Sequence, residues 1–359
     1  MIRAPEYICS ISPYVPGKPV EELERELGIE GSIKLASNEN PLGPSPMAVD
    51  AIRGMLGDLH RYPDGSGFYL KEALSKRLDI AAEKIILGNG SNELIEMAVR
   101  TFLTPGDEAI MAKPSFVVYS MIVQAVGGTP ISVPLQYYRH DLKKMADMIT
   151  EKTKIVFIAN PNNPTGTINN MEEMDAFMDR VPEGILVIVD EAYYEYVTSS
   201  DYPDSMQYLR DGKDILILRT FSKIYGLAGL RIGYGICKKE IAEMMNRIRQ
   251  PFNTNSIAQR AAVMALQDME HVMRSRRINE DGKRFLYREF TQMGIDYIPT
   301  QANFIYIPLK TIDAMEVYER LLRDGMIIRP VGKNEIRVTI GIQKENERFI
   351  TAFKALFRL

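Results

Sequence analysis

The chain has 359 residues, with 44 Lys and Arg against 47 Asp and Glu for a formal net charge of −3. Both signs are mixed throughout, which excludes a basic face for nucleic acid or anionic lipid. The length suffices for one large core and a smaller second domain. Two cysteines, Cys9 and Cys237, lack paired spacing and partner histidines, which suits a reducing cytosol and argues against structural zinc. No run approaches the ~18 apolar residues of a membrane span. The opening Met1-Ile2-Arg3-Ala4-Pro5-Glu6 has no apolar h-region, so a soluble cytoplasmic protein is expected. His60, His140 and His271 lie among polar neighbours and read as solvated, which weighs against a histidine-based mechanism.

Residues 1–48 carry seven prolines around one short helix at 21–27 and read as an arm lying on another surface. From 49 to 250, helical patterns alternate with short apolar strands at 85–87, 108–111, 129–133, 155–158, 185–189, 215–218 and 232–236. That alternation predicts a large α/β domain with a mostly parallel, doubly wound seven-stranded sheet. The first of these strands enters Gly88-Asn89-Gly90-Ser91-Asn92-Glu93 and then an amphipathic helix. Free N–H groups at that helix start form a phosphate seat, although Ser91 is also a plausible N-cap. After 155–158 comes Asn160-Pro161-Asn162-Asn163-Pro164-Thr165-Gly166, where two prolines fix a turn and leave asparagine amides free for a ligand. The strand at 185–189 ends in Asp190-Glu191, and a carboxylate there can hold a pyridine nitrogen protonated; it can equally cap a helix.

Strand 215–218 feeds Thr220-Phe221-Ser222-Lys223-Ile224-Tyr225-Gly226-Leu227-Ala228-Gly229-Leu230-Arg231. A lysine held where a strand meets a loop can form a Schiff base with an aldehyde, and small neighbours let the backbone close on a bulky cofactor. Asp190 and Lys223 together point to pyridoxal phosphate (PLP), at the strand ends where open α/β sheets bind ligands. A helix at 239–249 stops at Pro251, a hinge into a smaller α+β domain over 251–359. There the pattern predicts helices at 256–267 and 270–293, a strand at 304–307, a helix at 314–323, strands at 326–329 and 336–340, and a last helix at 346–357. The 20 methionines read as core filler rather than as a ligand box.

Asn-Pro-Thr-Gly, Asp-Glu-Ala-Tyr and Ser-Lys-x5-Gly-Leu-Arg in this order resemble the fold-type I PLP-dependent aminotransferases, the aspartate aminotransferase superfamily. Within it the resemblance is closest to the histidinol-phosphate aminotransferases, and it runs from Pro13-Tyr14-Val15-Pro16-Gly17 to Arg337-Val338-Thr339-Ile340-Gly341. It implies transamination of histidinol phosphate with 2-oxoglutarate and glutamate by a homodimer. An aromatic aminotransferase and a threonine-phosphate decarboxylase share much of the motif set. A non-enzymatic PLP-binding regulator is disfavoured by the lack of a helix-turn-helix extension and of a basic patch.

The resemblance also implies roles. Lys223 would carry the cofactor and shuttle the proton, Asp190 would face the pyridine nitrogen, and Tyr193 and Asn163 would donate to the cofactor's 3′-oxygen. Phe116 would stack on the ring, with Tyr119 as its rival, since the chain has no tryptophan. The phosphate would sit on Gly90, Ser91 and Asn92 amides with Thr220, Ser222 and Arg231. Tyr62 would reach it from the neighbouring subunit. Arg337 would clamp a carboxylate, and Arg329 with Tyr14 would hold the substrate phosphate. One departure is the segment Pro330-Val331-Gly332-Lys333-Asn334-Glu335 between the two arginines, which is short for the family.

Overall fold

The computed structural model describes residues 2–357. Its strands in chain order are β1 (Ile33–Lys34), β2 (Ile85–Gly88), β3 (Glu108–Lys113), β4 (Thr129–Pro134), β5 (Thr153–Ala159), β6 (Leu186–Asp190), β7 (Ile215–Thr220), β8 (Gly233–Cys237), β9 (Phe304–Pro308), β10 (Met326–Ile327), β11 (Arg329–Pro330) and β12 (Glu335–Thr339). Seven of them form one sheet in the order β2-β8-β7-β6-β5-β3-β4. Only β8 runs antiparallel to its neighbours. The remaining contacts are parallel, as the alternation of strands and helices predicts.

Both faces of this sheet are buried, which is why its strands read as unbroken apolar runs. Side chains alternate between faces along a strand. Val156 and Ile158 of β5 thus join one core with Val187, Val189, Ile215 and Ile217. Ile155 and Phe157 join the other with Leu186, Ile188, Leu216 and Leu218. Helices Pro46–Arg53, Phe68–Leu78 and Ser256–Gln267 cover the first face, while Ser91–Phe102, Val118–Ala125 and Lys239–Asn246 cover the second. A third core lies between helices Met269–Met293 and Gln343–Phe357 and the small sheet β11-β12-β9, with Leu286, Phe290, Phe349 and Phe353 at its centre.

Three elements differ from the sequence expectation. The N-terminal segment holds not one helix but Glu6–Cys9 and Val20–Leu27, plus β1, which pairs in parallel with β10. The expected strand at 326–329 is two short strands in different sheets, because the chain turns from β1 at Ile327 to β12 at Arg329. The predicted solvation of His140 and His271 is wrong. They are 3% and 8% exposed, His140 against Asn162 and His271 over Asn40. Polar neighbours in sequence report only the local surface, and packing from distant segments covers both rings.

Candidate active site

The carboxyl ends of β5, β6 and β7 open into a cavity of about 540 Å³ that is also walled by the N-terminal segment and by β11 and β12. Lys223 enters it from the loop after β7. The loop is fixed by Phe221 N–H on the Ile232 carbonyl (3.1 Å) and by Gly226 N–H on the Lys223 carbonyl (3.0 Å). Gly226 has φ +70°, and a Cβ there would collide with the Gly43 backbone, so glycine is required where the two segments cross. The Lys223 ammonium donates to the Ser37 carbonyl at 3.1 Å. Burial, and then the charge of Arg337, lower its pKa to about 8, with Arg231 adding to the effect and Glu39 and Asp190 opposing it.

Asp190 ends β6, one strand over. Its Oδ2 accepts from the Tyr119 hydroxyl at 2.7 Å and its Oδ1 from the Ala192 amide at 3.1 Å. Burial pushes this carboxyl up, and those two donors pull it back toward the ionised form. Tyr119 is itself buried, stacked on Phe157 at 4.6 Å, with Phe116 edge-on at 5.5 Å. Of the two rivals for a ring-stacking role, Tyr119 is engaged with Asp190, while Phe116 lies half-buried along the cavity wall. Neighbouring Glu191 points away and pairs with Arg219 at 2.8 Å, both fully enclosed.

Tyr193 and Asn163 face the same cavity. The Tyr193 hydroxyl oxygen accepts from Asn38 Nδ2 at 2.9 Å, and burial raises its pKa to about 12. Asn163 Oδ1 accepts from Arg337 at 2.5 Å, which leaves its Nδ2 as a donor. Arg337 also donates to the Ala36 carbonyl at 2.6 Å, and its Nε has no partner. The tight turn from Val331 to Glu335 pairs Arg329 directly opposite Arg337. Two like charges on facing cross-strand positions repel, so the pair calls for an anion between or beside them. The short segment noted in the sequence is what puts them there. Arg329 also lies 5.5 Å from the ring of Tyr14.

The glycine turn after β2 leads into the same cavity, which Ser91 and Asn92 line with Lys223. Gly90 is the residue before helix Ser91–Phe102 and no side chain caps that helix, so Ser91 does not serve as the N-cap and its amide stays free. Arg231 brings its guanidinium against Gly90, donating to Ser222 Oγ at 3.2 Å and to the Ala228 carbonyl at 3.1 Å. Thr220 and Ser222 line the cavity next to it, with Ser91 and Asn92 across. Gly233 of β8 must also be glycine, since a Cβ would stand 2.6 Å from the Ser91 amide nitrogen. Free amides, two hydroxyls and a guanidinium make a site for a dianion.

Of the residues singled out in the sequence, Tyr62 stands apart. It is 82% exposed, stacks on Phe252 at 4.7 Å, and does not line the cavity. Sequence reading missed Ser37 and Asn38, which touch Lys223 and Tyr193, and the bond between Tyr119 and Asp190. The run Ala36-Ser37-Asn38-Glu39-Asn40 carried a signal in its three polar amide and hydroxyl residues between prolines. Among the described residues, no group of three or more His, Cys, Asp or Glu could hold a metal ion.

Known proteins resemble this chain over nearly its whole length. Histidinol-phosphate aminotransferase of Moorella thermoacetica is 50% identical over 356 residues, 98% of this chain and 92% of that protein. Histidinol-phosphate aminotransferase 1 of Nitrosococcus oceani is 50% identical over 97% of this chain and 95% of its own length. The crystal structure of histidinol-phosphate aminotransferase from Sinorhizobium meliloti, in complex with pyridoxal-5′-phosphate, superposes with a TM-score of 0.91 at 29% identity, covering 100% of this chain and 98% of that one. The family model described as aminotransferase class I and II matches residues 30–353, and the chain belongs to that family.

Proposed function

We propose that the chain transfers the amino group of histidinol phosphate to 2-oxoglutarate, giving imidazole-acetol phosphate and glutamate in histidine biosynthesis, with PLP bound at Lys223. The observation that carries this reading is the facing pair Arg329 and Arg337 on the same cavity as Lys223 and Asp190. Relatives bearing that activity's name are half-identical over nearly the whole chain.

The residues present fit the cofactor. Lys223 has a lowered pKa and only a carbonyl for a partner, Arg337 Nε is buried without one, and Gly90 leaves room for a guanidinium beside free amides. When bound, PLP supplies an electron sink for the carbon that loses its proton. Asp190 places negative charge where a ring nitrogen would be held protonated, and Tyr119 keeps that carboxylate oriented. Lys223 Nζ, with its proton affinity lowered, takes up and returns the proton that amino transfer moves. Tyr193 and Asn163 would offer donors to the ring oxygen, Phe116 would cover the ring face, and Gly90, Ser91, Asn92, Thr220, Ser222 and Arg231 would hold the phosphate. Arg329, Arg337 and Tyr14 then meet the substrate's phosphate in one half-reaction and a carboxylate of glutamate or 2-oxoglutarate in the other, since a guanidinium fork matches either.

The same reading extends to assembly. Tyr62 is exposed in one chain, with Leu56, Leu59, Phe68 and Tyr69 exposed nearby, and in a homodimer it would reach the phosphate of the partner's site. Residues 1–48 would act as an arm, 49–250 as the PLP-binding domain and 251–359 as the smaller domain. No helix among the described residues is long and apolar enough to cross a membrane, and the two free cysteines suit a cytoplasmic setting.

Histidinol phosphate, phenylalanine, tyrosine and threonine phosphate, assayed side by side for glutamate formation and for CO₂, test the substrate. Histidinol phosphate should give the highest kcat/KM, and Arg329→Ala should reduce it far more than it reduces phenylalanine turnover. Equal losses on both, or CO₂ from threonine phosphate, would overturn the substrate assignment.

A further inference from the structure

Asn38 lies on the N-terminal segment, is 1% exposed and holds a left-handed backbone with φ 56°. Four hydrogen bonds surround it. Its backbone N–H donates to Thr339 Oγ1 at 2.9 Å, and its carbonyl accepts from Asn303 Nδ2 at 3.0 Å. Thr339 Oγ1 lies 3.1 Å from Asn38 Oδ1, and Asn38 Nδ2 lies 2.9 Å from the Tyr193 hydroxyl oxygen.

One arrangement of the protons in this chain of bonds satisfies every group. The Asn38 backbone N–H occupies one lone pair of Thr339 Oγ1, and the Thr339 proton finds its acceptor in Asn38 Oδ1; with the amide flipped, that proton would lose this acceptor. Oδ1 thereby becomes the acceptor end of the amide, and Nδ2 must face Tyr193 as a donor. The Tyr193 oxygen then receives a proton from behind. Its own O–H has no acceptor at Asn38 and turns toward the cavity, where Tyr193 is a lining residue. Donation from Asn38 also stabilises charge on that oxygen, opposing the rise that burial imposes on Tyr193.

We propose that Asn38, oriented by Thr339, is a positioning residue that aims the Tyr193 proton at the ring oxygen of the cofactor. The inference rests on the assignment of PLP and of Tyr193 made above. It also links the small sheet to the cofactor chemistry, because Thr339 belongs to β12, two residues from Arg337. A substrate anion seated on Arg337 thus touches the strand that sets the tyrosine's donor direction.

The test is a pH titration of the bound cofactor's absorption in the full-length enzyme without substrate. A donor to the ring oxygen takes up negative charge that would otherwise hold the proton on the lysine-derived nitrogen beside it, so losing the donor raises the titration midpoint. Tyr193→Phe should raise it by about one to two pH units, the scale of one hydrogen bond to a charged group. Asn38→Gly tolerates the left-handed backbone and removes the amide, and it should raise the midpoint by a smaller amount. Asn38→Asp offers an acceptor in place of the donor and should approach the effect of Tyr193→Phe. Thr339→Val frees the amide to flip and should move the midpoint the same way, which covers the case in which an Asn38 variant folds poorly. Melting of the unloaded protein identifies such a variant.

In a Tyr193→Phe background, Asn38→Gly should cause no further shift, because the group it acts through is gone. Asn38 and Thr339 variants that leave the midpoint where it was, while Tyr193→Phe moves it, would overturn the inference alone. The same holds if Asn38→Gly shifts the midpoint equally with and without Tyr193. No shift in Tyr193→Phe itself would instead refute the assignment of Tyr193 to the ring oxygen.

Discussion

Gly90→Ala probes how the phosphate seat is built. Gly90 has φ 74° and ψ 169°, a region closed to residues with a Cβ, so alanine carries strain of about 1–3 kcal/mol. Its Cβ would stand 2.5 Å from one terminal nitrogen of Arg231 and 3.2 Å from the guanidinium carbon, roughly 1 Å inside ordinary contact at the closer atom. The guanidinium ends a flexible side chain, so the fold can absorb the displacement. A bound phosphate cannot, because the fork leaves its place. Losing one charge-assisted hydrogen bond of about 1.5–3 kcal/mol, at about 1.4 kcal/mol per tenfold, lowers PLP affinity about 10- to 100-fold. Equilibrium dialysis in a Lys223→Ala background reads this as non-covalent retention, and melting of the unloaded protein should fall by only a few degrees. Arg231→Ala should lose a similar affinity without the backbone strain. Since both changes remove the same contact, the double variant should lose less than the sum of the two. Additive losses in affinity would refute the idea that Gly90 is glycine in order to admit Arg231.

Capture of PLP by the unloaded protein should accelerate about tenfold per pH unit and level off near pH 8, the value at which Lys223 titrates. Unprotonated amine is the attacking form, so a rate still climbing toward 10.5, the ordinary lysine value, would show that burial and Arg337 do not lower it. Asp190→Asn should keep the fold and bind PLP but lose several orders of magnitude in turnover. Tyr119→Phe removes a donor that favours the ionised carboxylate, so Asp190 titrates higher and the acid limb of the pH–rate profile should move up. An unmoved acid limb would mean that Tyr119 only fills space. Mixing an inactive Lys223→Ala chain with a chain whose only change is an inactivating Tyr62→Ala should restore some activity, because the site built on the second chain keeps its own Lys223 and Arg231 and receives an intact Tyr62 from its partner. Absence of recovery in hybrids shown to form would place every site within one subunit.

The large sheet was legible because both its faces are buried. Each parallel strand then announces itself as an apolar run, and each run ends where the chemistry begins, at Asp190 or just before Lys223. Local sequence carries that information since strand, turn and functional side chain are contiguous. Short strands were not legible: β1, β10 and β11 have two residues each and owe their existence to pairing rather than to pattern. The capping reading of Ser91 failed for a related reason. Serine favours an N-cap, yet the left-handed Gly90 takes that position and leaves the Ser91 amide for a ligand. Polarity of neighbours misled for His140, whose ring is covered by the turn around Asn162, 22 residues away.

What the sequence hid in the site is what holds the chemically active groups in place. Tyr119 reaches Asp190 across 71 residues, Asn38 reaches Tyr193 across 155, and Asn38 meets Thr339 across 301. Each bond joins two segments whose own patterns say only that one is a helix face, a strand end or a proline-rich arm. The arm is the clearest case. Proline content marked it as an irregular strap, but Ala36, Ser37 and Asn38 give Arg337, Lys223 and Tyr193 their backbone or amide partners. Asn40 Nδ2 additionally donates to the Ile224 carbonyl at 2.7 Å, next to the lysine. A segment with almost no regular structure therefore fixes three groups, Tyr193 and Lys223 in the loops after β6 and β7 and Arg337 within β12. Cutting the arm away before the helix at Pro46 should cost catalysis before it costs the seven-stranded fold, since the two cores of that sheet contain no residue ahead of that helix.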